Sequence, residues 1–596
     1  MKNLITAILI GCTGISFAQK LPKQLKGLDK ELEEVLNTWQ AAGFSVAVVR
    51  KNDVLYSKGF GFRDLEKKSP VDANTAFAIG STTKAFTASV LGVLRNENKI
   101  SFNDKPSDYI PGFNFFNDEM NSQITIKDIM CHQTGLPRHD IAWYLFPSYS
   151  KDSLLSRVEF HEPTYGVREQ WQYNNFMYLA QGVIAEKITE KSWEENVQSL
   201  FLNPLGMKNT SLDISGLQNG ANASKGYSLT DEKIELMDYY DIAGMSPAGS
   251  INSSANDMAQ WLKVWINNGK YNGKEIIPAS FISEAISSQS IVNGGLPGAE
   301  KSDLHMSNYG YGWMTSSYKG HYRAEHGGNI DGFTATVAIY PSDSLGIVVL
   351  ANQNGSSMPA VVRNIIADRM LGTERTDWSA DLIKPYLESL EANEEDIESE
   401  STQKIGTKPS HDLEDYTGNY SNTGYGSMNI SYENDTLFVQ LPKEKYWLSH
   451  YHYDVFTPIE LGEEPTDETP FLLMNFATSD IGDIASVGMM LQAGLAPIIF
   501  KNIPAEINIE ASSLEKFVGE YTLGGATVKV YTKGGDILYL FVPGQPEYEL
   551  YATGENSFAL KIIEGYNLEF NDGEDGNIKE LVFIQPNGTF KAQRKK

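Results

Sequence analysis

Cysteine is nearly absent from this chain, which carries two in 596 residues. One of them, Cys12, falls in a segment, residues 1–18, that reads as a secretory signal, with a positive Lys2, an apolar stretch through Ile10 and a small-residue exit at Ser16-Phe17-Ala18. Cleavage after Ala18 leaves Cys131 alone, which excludes an intrachain disulfide. Leu9-Ile10-Gly11-Cys12 also resembles a bacterial lipobox, on which reading Cys12 would carry a lipid anchor; the apolar residues that continue past Cys12 favour cleavage after Ala18 instead. No other apolar run is long enough to span a bilayer. Positive charge is also scarce. Lys and Arg number 49 against 76 Asp and Glu, a formal net charge of -27 that disfavours nucleic acid and anionic membranes as partners and otherwise serves solubility. The nine histidines are scattered without metal-ligand spacing, and the glycine-rich stretches lack the context of a phosphate loop. No cofactor and no metal is expected.

What the chain does contain is a hydroxyl and an amine three residues apart, in Ser81-Thr82-Thr83-Lys84. Phe77-Ala78-Ile79-Gly80 ends in glycine just before it, and Phe86, Val90, Leu91 and Leu94 recur afterwards at helical intervals, so a helix is predicted to begin near Ser81. Residues three apart share a helix face. A buried lysine amine, ordinarily titrating at about 10.4, is lowered by desolvation and can then accept a proton from the serine. Ser81 at a helix N-terminus also offers a backbone NH to a developing oxyanion. Alone the pattern is weak, because a capping serine and a solvated lysine satisfy it equally well.

Two further elements follow in order: Tyr173-Asn174-Asn175, ahead of an apolar helix, and His326-Gly327-Gly328, just before the strand-like run from Phe333 to Tyr340. Together the three resemble the serine hydrolases that include penicillin-binding proteins and class C β-lactamases, whose elements are Ser-x-x-Lys, Tyr-x-Asn and Lys-x-Gly or His-x-Gly. The resemblance covers roughly residues 25 to 375 and extends to Cys131-His132-Gln133-Thr134-Gly135-Leu136-Pro137, to Pro247-Ala248-Gly249-Ser250 leading into Asp257-Met258-Ala259-Gln260-Trp261, and to Tyr309-Gly310-Tyr311-Gly312-Trp313.

The chain is long enough for several domains. Leu25, Leu28, Leu32, Val35, Leu36 and Trp39 form a helical stripe, and the runs Phe44 to Arg50 and Val54 to Phe62 then read as a strand hairpin across Lys51-Asn52-Asp53. Phe333 to Tyr340 and Leu345 to Asn352 pair in the same way across Pro341-Ser342-Asp343-Ser344. Strands at both ends with helices between them predict an antiparallel sheet built from the two termini of the domain and flanked by helices. The acidic run of Glu388, Glu391, Glu394, Glu395, Asp396, Glu398 and Glu400 reads as a solvated helix or linker. Beyond it, Leu413-Glu414-Asp415-Tyr416-Thr417-Gly418-Asn419-Tyr420 is echoed by Leu514-Glu515-Lys516-Phe517-Val518-Gly519-Glu520-Tyr521, each copy opening a stretch of short strands that reads as a β-barrel. The expected fold is thus an α/β (α+β) β-lactamase/transpeptidase-like catalytic domain followed by two lipocalin-like antiparallel β-barrel domains. The expected boundaries are 1–18 for the leader, 19–377 for the catalytic domain, 378–408 for the acidic linker, and 409–508 and 509–596 for the barrels. A catalytic domain followed by two barrels resembles the bacterial D-aminopeptidases.

The resemblance implies Ser81 as nucleophile, Lys84 and Tyr173 sharing the proton work, and Asn175 holding Lys84. It implies an oxyanion hole from the NH groups of Ser81 and Asn329. A phenol near its ordinary pKa of about 10 serves as base only if cations lower it, so the choice between Lys84 and Tyr173 stays open here. His326 stands where β-lactamases of this class usually have lysine, and Gly327 where many carboxypeptidases have threonine; losing both weakens a contact to a substrate carboxylate. Gly327 and Gly328 serve either close substrate approach or strand geometry. His132, Arg138, His139 and Asp140 form a polar loop that could border the cleft. The expected activity is a secreted or periplasmic serine hydrolase of small amides or short peptides, D-residue peptides being the natural class. An esterase or a β-lactamase/carboxypeptidase of the same family is the alternative within enzymes, and a penicillin-binding sensor or envelope-binding scaffold that acylates without turnover is the alternative outside them.

Overall fold

In the computed structural model, residues 21–395 and 403–595 are described, apart from 231–232, 240, 294–305, 466–471, 481, 493, 504–506, 508, 562–565, 574–575 and 586–587. The leader 1–18 with Cys12, and Asp396, Glu398 and Glu400 of the acidic run, lie outside the described residues. The β-branched runs near the two ends of the first unit form its centre. Strands β1 (Gly43–Arg50), β2 (Asp53–Asp64), β3 (Ser69–Pro70), β4 (Ser290–Asn293), β5 (Ser307–Tyr309), β6 (Met314–Tyr318), β7 (His321–Ile330), β8 (Phe333–Tyr340) and β9 (Leu345–Ala351) make one sheet in the order β4-β5-β6-β7-β8-β9-β1-β2-β3. The first and last parts of this unit meet where β1 pairs antiparallel with β9, with Val46 opposite Val349 and Val48 opposite Ile347.

Both faces of these central strands are covered, which is why they read as continuous apolar runs. One face packs on helices α1 (Leu28–Thr38) and α5 (Met358–Leu371) through Leu28, Leu32, Val35, Val361, Val362 and Ile366; α4 (Ala255–Ile266) also packs against β1 and β9. Val46, Val48, Ile347 and Val349 are fully buried, each contributing about 1.5–3 kcal/mol by leaving water. Between β3 and β4 lie α2 (Lys84–Asn96) and α3 (Phe176–Thr189), which pack on each other. Helix α3 is buried from Phe176 through Ala185, so it lacks a polar face.

Strand β7 carries the third motif beyond the end of its ladder with β6. That ladder stops at Glu325, and the backbone of the Gly80–Thr83 turn packs beside Gly328 instead. The first and third motifs therefore touch through their backbones.

The expected linker begins later than the sequence reading placed it. Helix α6 (Trp378–Glu395) packs Trp378, Leu382, Ile383 and Tyr386 on the α1/α5 core, and the indole of Trp378 donates to Asp368 Oδ2 at 2.8 Å. These four residues have helical spacing, but the glutamates that follow dominate the composition of the window.

The chain divides into two compact units, Met1–Glu398 and Ser399–Lys596. The second consists of two closed eight-stranded antiparallel barrels, running from Gly418–Asn422 to Ile498–Ile503 and from Gly519–Leu523 to Gly588–Arg594. The sequence repeat has a structural cause. Tyr420 and Tyr521 are fully buried in matching first strands, and each donates its hydroxyl at 2.8 Å to a carbonyl four residues earlier, Tyr416 O and Phe517 O. Aromatic rings meet inside each barrel, Tyr416 with Phe456 and Phe476 in the first and Phe517 with Phe558 and Phe570 in the second.

Candidate active site

Ser81 sits in a 3-10 turn, Gly80–Thr83, and the α-helix proper starts only at Lys84. The tighter turn is set by Gly80, whose φ of +49° is left-handed; a Cβ there would also stand 3.0 Å from the backbone nitrogen of Asn329. Lys84 is completely buried (0% exposed), and its amine makes three contacts: 2.7 Å to Asn175 Oδ1, 2.8 Å to Ala248 O and 2.9 Å to Ser81 Oγ. Two of these oxygens can only accept, and a neutral amine has two N–H bonds to give them. These three contacts also suit the three N–H groups of an ammonium; once Lys84 is neutral, its lone pair is left for Ser81 Oγ, a hydroxyl able to donate. Burial pushes Lys84 well below its ordinary value, with Arg138 adding to the shift and Asp140 opposing it.

Asn175 immediately precedes helix α3, and its amide is oriented by its other partner, since Nδ2 donates at 2.9 Å to Asp140 Oδ1. The indole of Trp143 donates to the same oxygen at 2.9 Å, and Arg138 Nε donates to Asp140 Oδ2 at 2.6 Å. Asp140 thus anchors the chain Asp140–Asn175–Lys84–Ser81. Reading the sequence had placed it only in a polar loop bordering the cleft, because nothing local ties that loop to Asn175.

Tyr173 lies within electrostatic reach of Ser81, and its ring lies 4.8 Å from the Lys84 amine and 5.0 Å from the Arg138 guanidinium. Burial nevertheless raises the phenol above its ordinary value, outweighing the lowering by Ser81 and Arg138. Tyr173 keeps its proton.

His326 is 4% exposed and burial pulls it down to about 4, so the imidazole is neutral. Its Nδ1 lies 2.6 Å from Gly327 O and must carry the hydrogen, which leaves Nε2 to accept from the Tyr309 hydroxyl at 3.1 Å. The Gly327 carbonyl therefore fixes the tautomer, and the hydroxyl of Tyr309 complements it. The two glycines differ. A Cβ on Gly328 would stand 2.0 Å from Ile79 O, so that residue is required by backbone approach; a Cβ on Gly327 would meet only Ala335 O at 3.8 Å. Asn329 holds Gly355 N and the Thr334 hydroxyl with its side-chain oxygen.

Of the polar loop, Arg138 and Asp140 line the cleft, whereas the two histidines do not. His132 is wedged among the rings of Tyr173, Tyr178 and Tyr309, and His139 stacks on His161 and contacts Glu162 O at 3.0 Å. The cleft is a cavity of about 280 Å³ that opens on Ser81 and also reaches Tyr144, Ile242, Ile330 and Asp331. These last four carry no motif and were not singled out from the sequence. Among the described residues, no group of three or more His, Cys, Asp or Glu could hold a metal, and no helix is long and apolar enough to cross a membrane.

A family model described as Beta-lactamase matches residues 28–369, and one described as a domain of unknown function matches residues 402–501, the region of the first barrel. The chain is 27% identical over 430 residues to the unguisins hydrolase ungD of Aspergillus violaceofuscus, covering 67% of this chain and 76% of that protein. It is 26% identical over 376 residues to protein flp of Staphylococcus aureus, covering 61% and 70%. The octameric penicillin-binding protein homologue from Pyrococcus abyssi superposes with a TM-score of 0.53 at 20% identity, over 79% of this chain and 99% of that one, a likeness of fold.

Proposed function

The chain belongs to the beta-lactamase family of serine hydrolases, and from that premise we propose that it is an exported amidase or peptidase of small substrates, acylated on Ser81 and directed at D-amino-acid amides. The observation that carries the chemistry is the buried Lys84 amine 2.9 Å from Ser81 Oγ, which in its neutral form gives its two N–H bonds to Asn175 Oδ1 and Ala248 O and keeps its electron pair for Ser81. In this reading Lys84 takes the hydroxyl proton as Ser81 Oγ attacks the carbonyl carbon, and the oxyanion is received by the NH groups of Ser81 and Asn329. The Lys84 ammonium and the Tyr173 phenol then return a proton to the departing amine. Water repeats the sequence on the acyl-enzyme, with Lys84 again as base, and frees Ser81.

Two features favour a substrate without a carboxylate at the third motif. His326 is neutral and committed to Tyr309 and Gly327, and Gly327 offers no hydroxyl. Arg138, the cation at the cleft, is already paired with Asp140. Preference for D-residues rests on the two barrels after the catalytic unit, an arrangement similar to that of the bacterial D-aminopeptidases. The relative described as an unguisins hydrolase supports hydrolysis as the reaction class.

The test is release of p-nitroaniline from D-alanine p-nitroanilide, with the L-isomer and Ser81→Ala alongside. Repeated turnover of the D-isomer, lost in the variant, is expected. A single burst of one product per chain would point to a non-turnover acyl acceptor, and equal rates on both isomers would remove the D-specific reading.

A further inference from the structure

A second cavity, of about 230 Å³, lies against the catalytic cleft and shares Ile242, Gly249 and Ile330 with it. Its other apolar walls are Leu212, Ile214 and Leu217, and Tyr239, whose ring is fixed edge-on to Phe333 at 5.7 Å. The polar side chains at its border are already engaged. Ser246 donates to Glu194 at 2.6 Å, Ser250 to Leu212 O at 2.7 Å and Asn252 to Asp213 O at 2.7 Å. Asp241 accepts from Ala243 N, and Asp213 from Ser215 N, both at 2.9 Å. Most of what remains to meet a guest is apolar surface, with the carboxylates of Asp213 and Asp241 at its border. A dry cavity of roughly 150 Å³ already accommodates benzene, so this one has room for a benzyl or isobutyl group.

Its position beside the oxyanion hole says which group that is. Ile330 follows Asn329, and a Cβ on Gly249 would lie 3.7 Å from the carbonyl carbon of Gly80, the residue before Ser81. Each NH group assigned to the carbonyl oxygen thus lies next to a residue that adjoins or forms the cavity wall, Asn329 beside Ile330 and Ser81 beside Gly80, which Gly249 approaches. We propose that this cavity is the side-chain pocket for the substrate residue that supplies the scissile carbonyl, and that it selects a bulky apolar residue there. The inference rests on the assignment of Ser81 and of the oxyanion NH groups above, and deepens it by naming the substrate class.

The test uses the full chain with D-phenylalanine, D-leucine, D-alanine and D-lysine p-nitroanilides. Because one methylene in an apolar pocket is worth about 10-fold or more in discrimination, kcat/KM for D-phenylalanine should exceed that for D-alanine by at least about 10-fold. Ile214, only half-buried, gives a variant that fills the pocket with little threat to folding. Ile214→Trp should lower the rate on D-phenylalanine at least about 10-fold more than the rate on D-alanine. Leu217→Ala should widen the pocket and favour a naphthyl side chain over phenyl. Equal loss on both substrates in Ile214→Trp, no preference in the wild type, or a preference for D-lysine would overturn the proposal.

Should no anilide be hydrolysed, the reaction assigned to the site fails, and the pocket is judged by binding alone. Calorimetry of N-acetyl-D-phenylalanine on Ser81→Ala protein, with affinity lost in Ser81→Ala/Ile214→Trp, would uphold the pocket. No binding would overturn it.

Discussion

Lys84 sits between two charges that act on it in opposite senses, and that opposition can be measured. On the proposed role of its neutral form as the base, kcat/KM should fall as pH drops through its lowered pKa. Asp140 holds that pKa up and Arg138 holds it down. Asp140→Asn should therefore move the acid limb of the pH profile to lower pH, and Arg138→Gln should move it to higher pH. Shifts of the same sign in both variants would mean that another group titrates. Ser81→Ala should abolish turnover while changing stability by less than about 1 kcal/mol in denaturant melts, since it removes one polar atom. At the third motif, Gly327→Ala should keep activity within a few-fold. Gly328→Ala should cost at least about 100-fold, because relieving the collision with Ile79 O displaces the Ser81 turn, and misplacements near 1 Å carry that penalty.

At the scale of elements, the hairpins were the most legible parts of the sequence, because alternation of strand runs and turn residues is local. Lys51 and Ser344 take the left-handed φ values of 54° and 51° that their turns require, inside the connections read from the sequence. Helix α6 was legible only in half, its four core-facing residues being outnumbered by acids. Trp378→Ala should destabilise the first unit by about 2–3 kcal/mol, at the low end for aromatic truncation because the ring is only partly buried. Thermal unfolding monitored by calorimetry would read this, and an unchanged transition would mean that α6 is not part of that core. Helix α3 carries Asn175 at its start, and its burial on all sides hid the usual amphipathic signal while leaving its position after Tyr173 readable.

For the molecule as a whole, the two compact units predict at least two unfolding transitions, with Trp378→Ala lowering one and leaving the barrel transition in place. A single transition that shifts as a whole would contradict this. The barrels were visible as a repeat because the same tyrosine closure is needed twice, at Tyr420 and Tyr521, and identical local demands select similar residues.

The sequence by itself determined the Ser81 hydroxyl with its neighbouring Lys84 amine, the order of the three motifs, the sheet built from both ends of the first unit and the paired barrels, since each is written in spacing or repetition over a few residues. Tertiary structure alone decided that Lys84 is dry and 2.9 Å from Ser81 Oγ, that Asp140 orients Asn175, that the Tyr309 hydroxyl meets Nε2 of His326, and that a second cavity shares walls with the cleft. Those depend on loops far apart in the chain converging once the sheet has closed, and no local pattern encodes a distance between them.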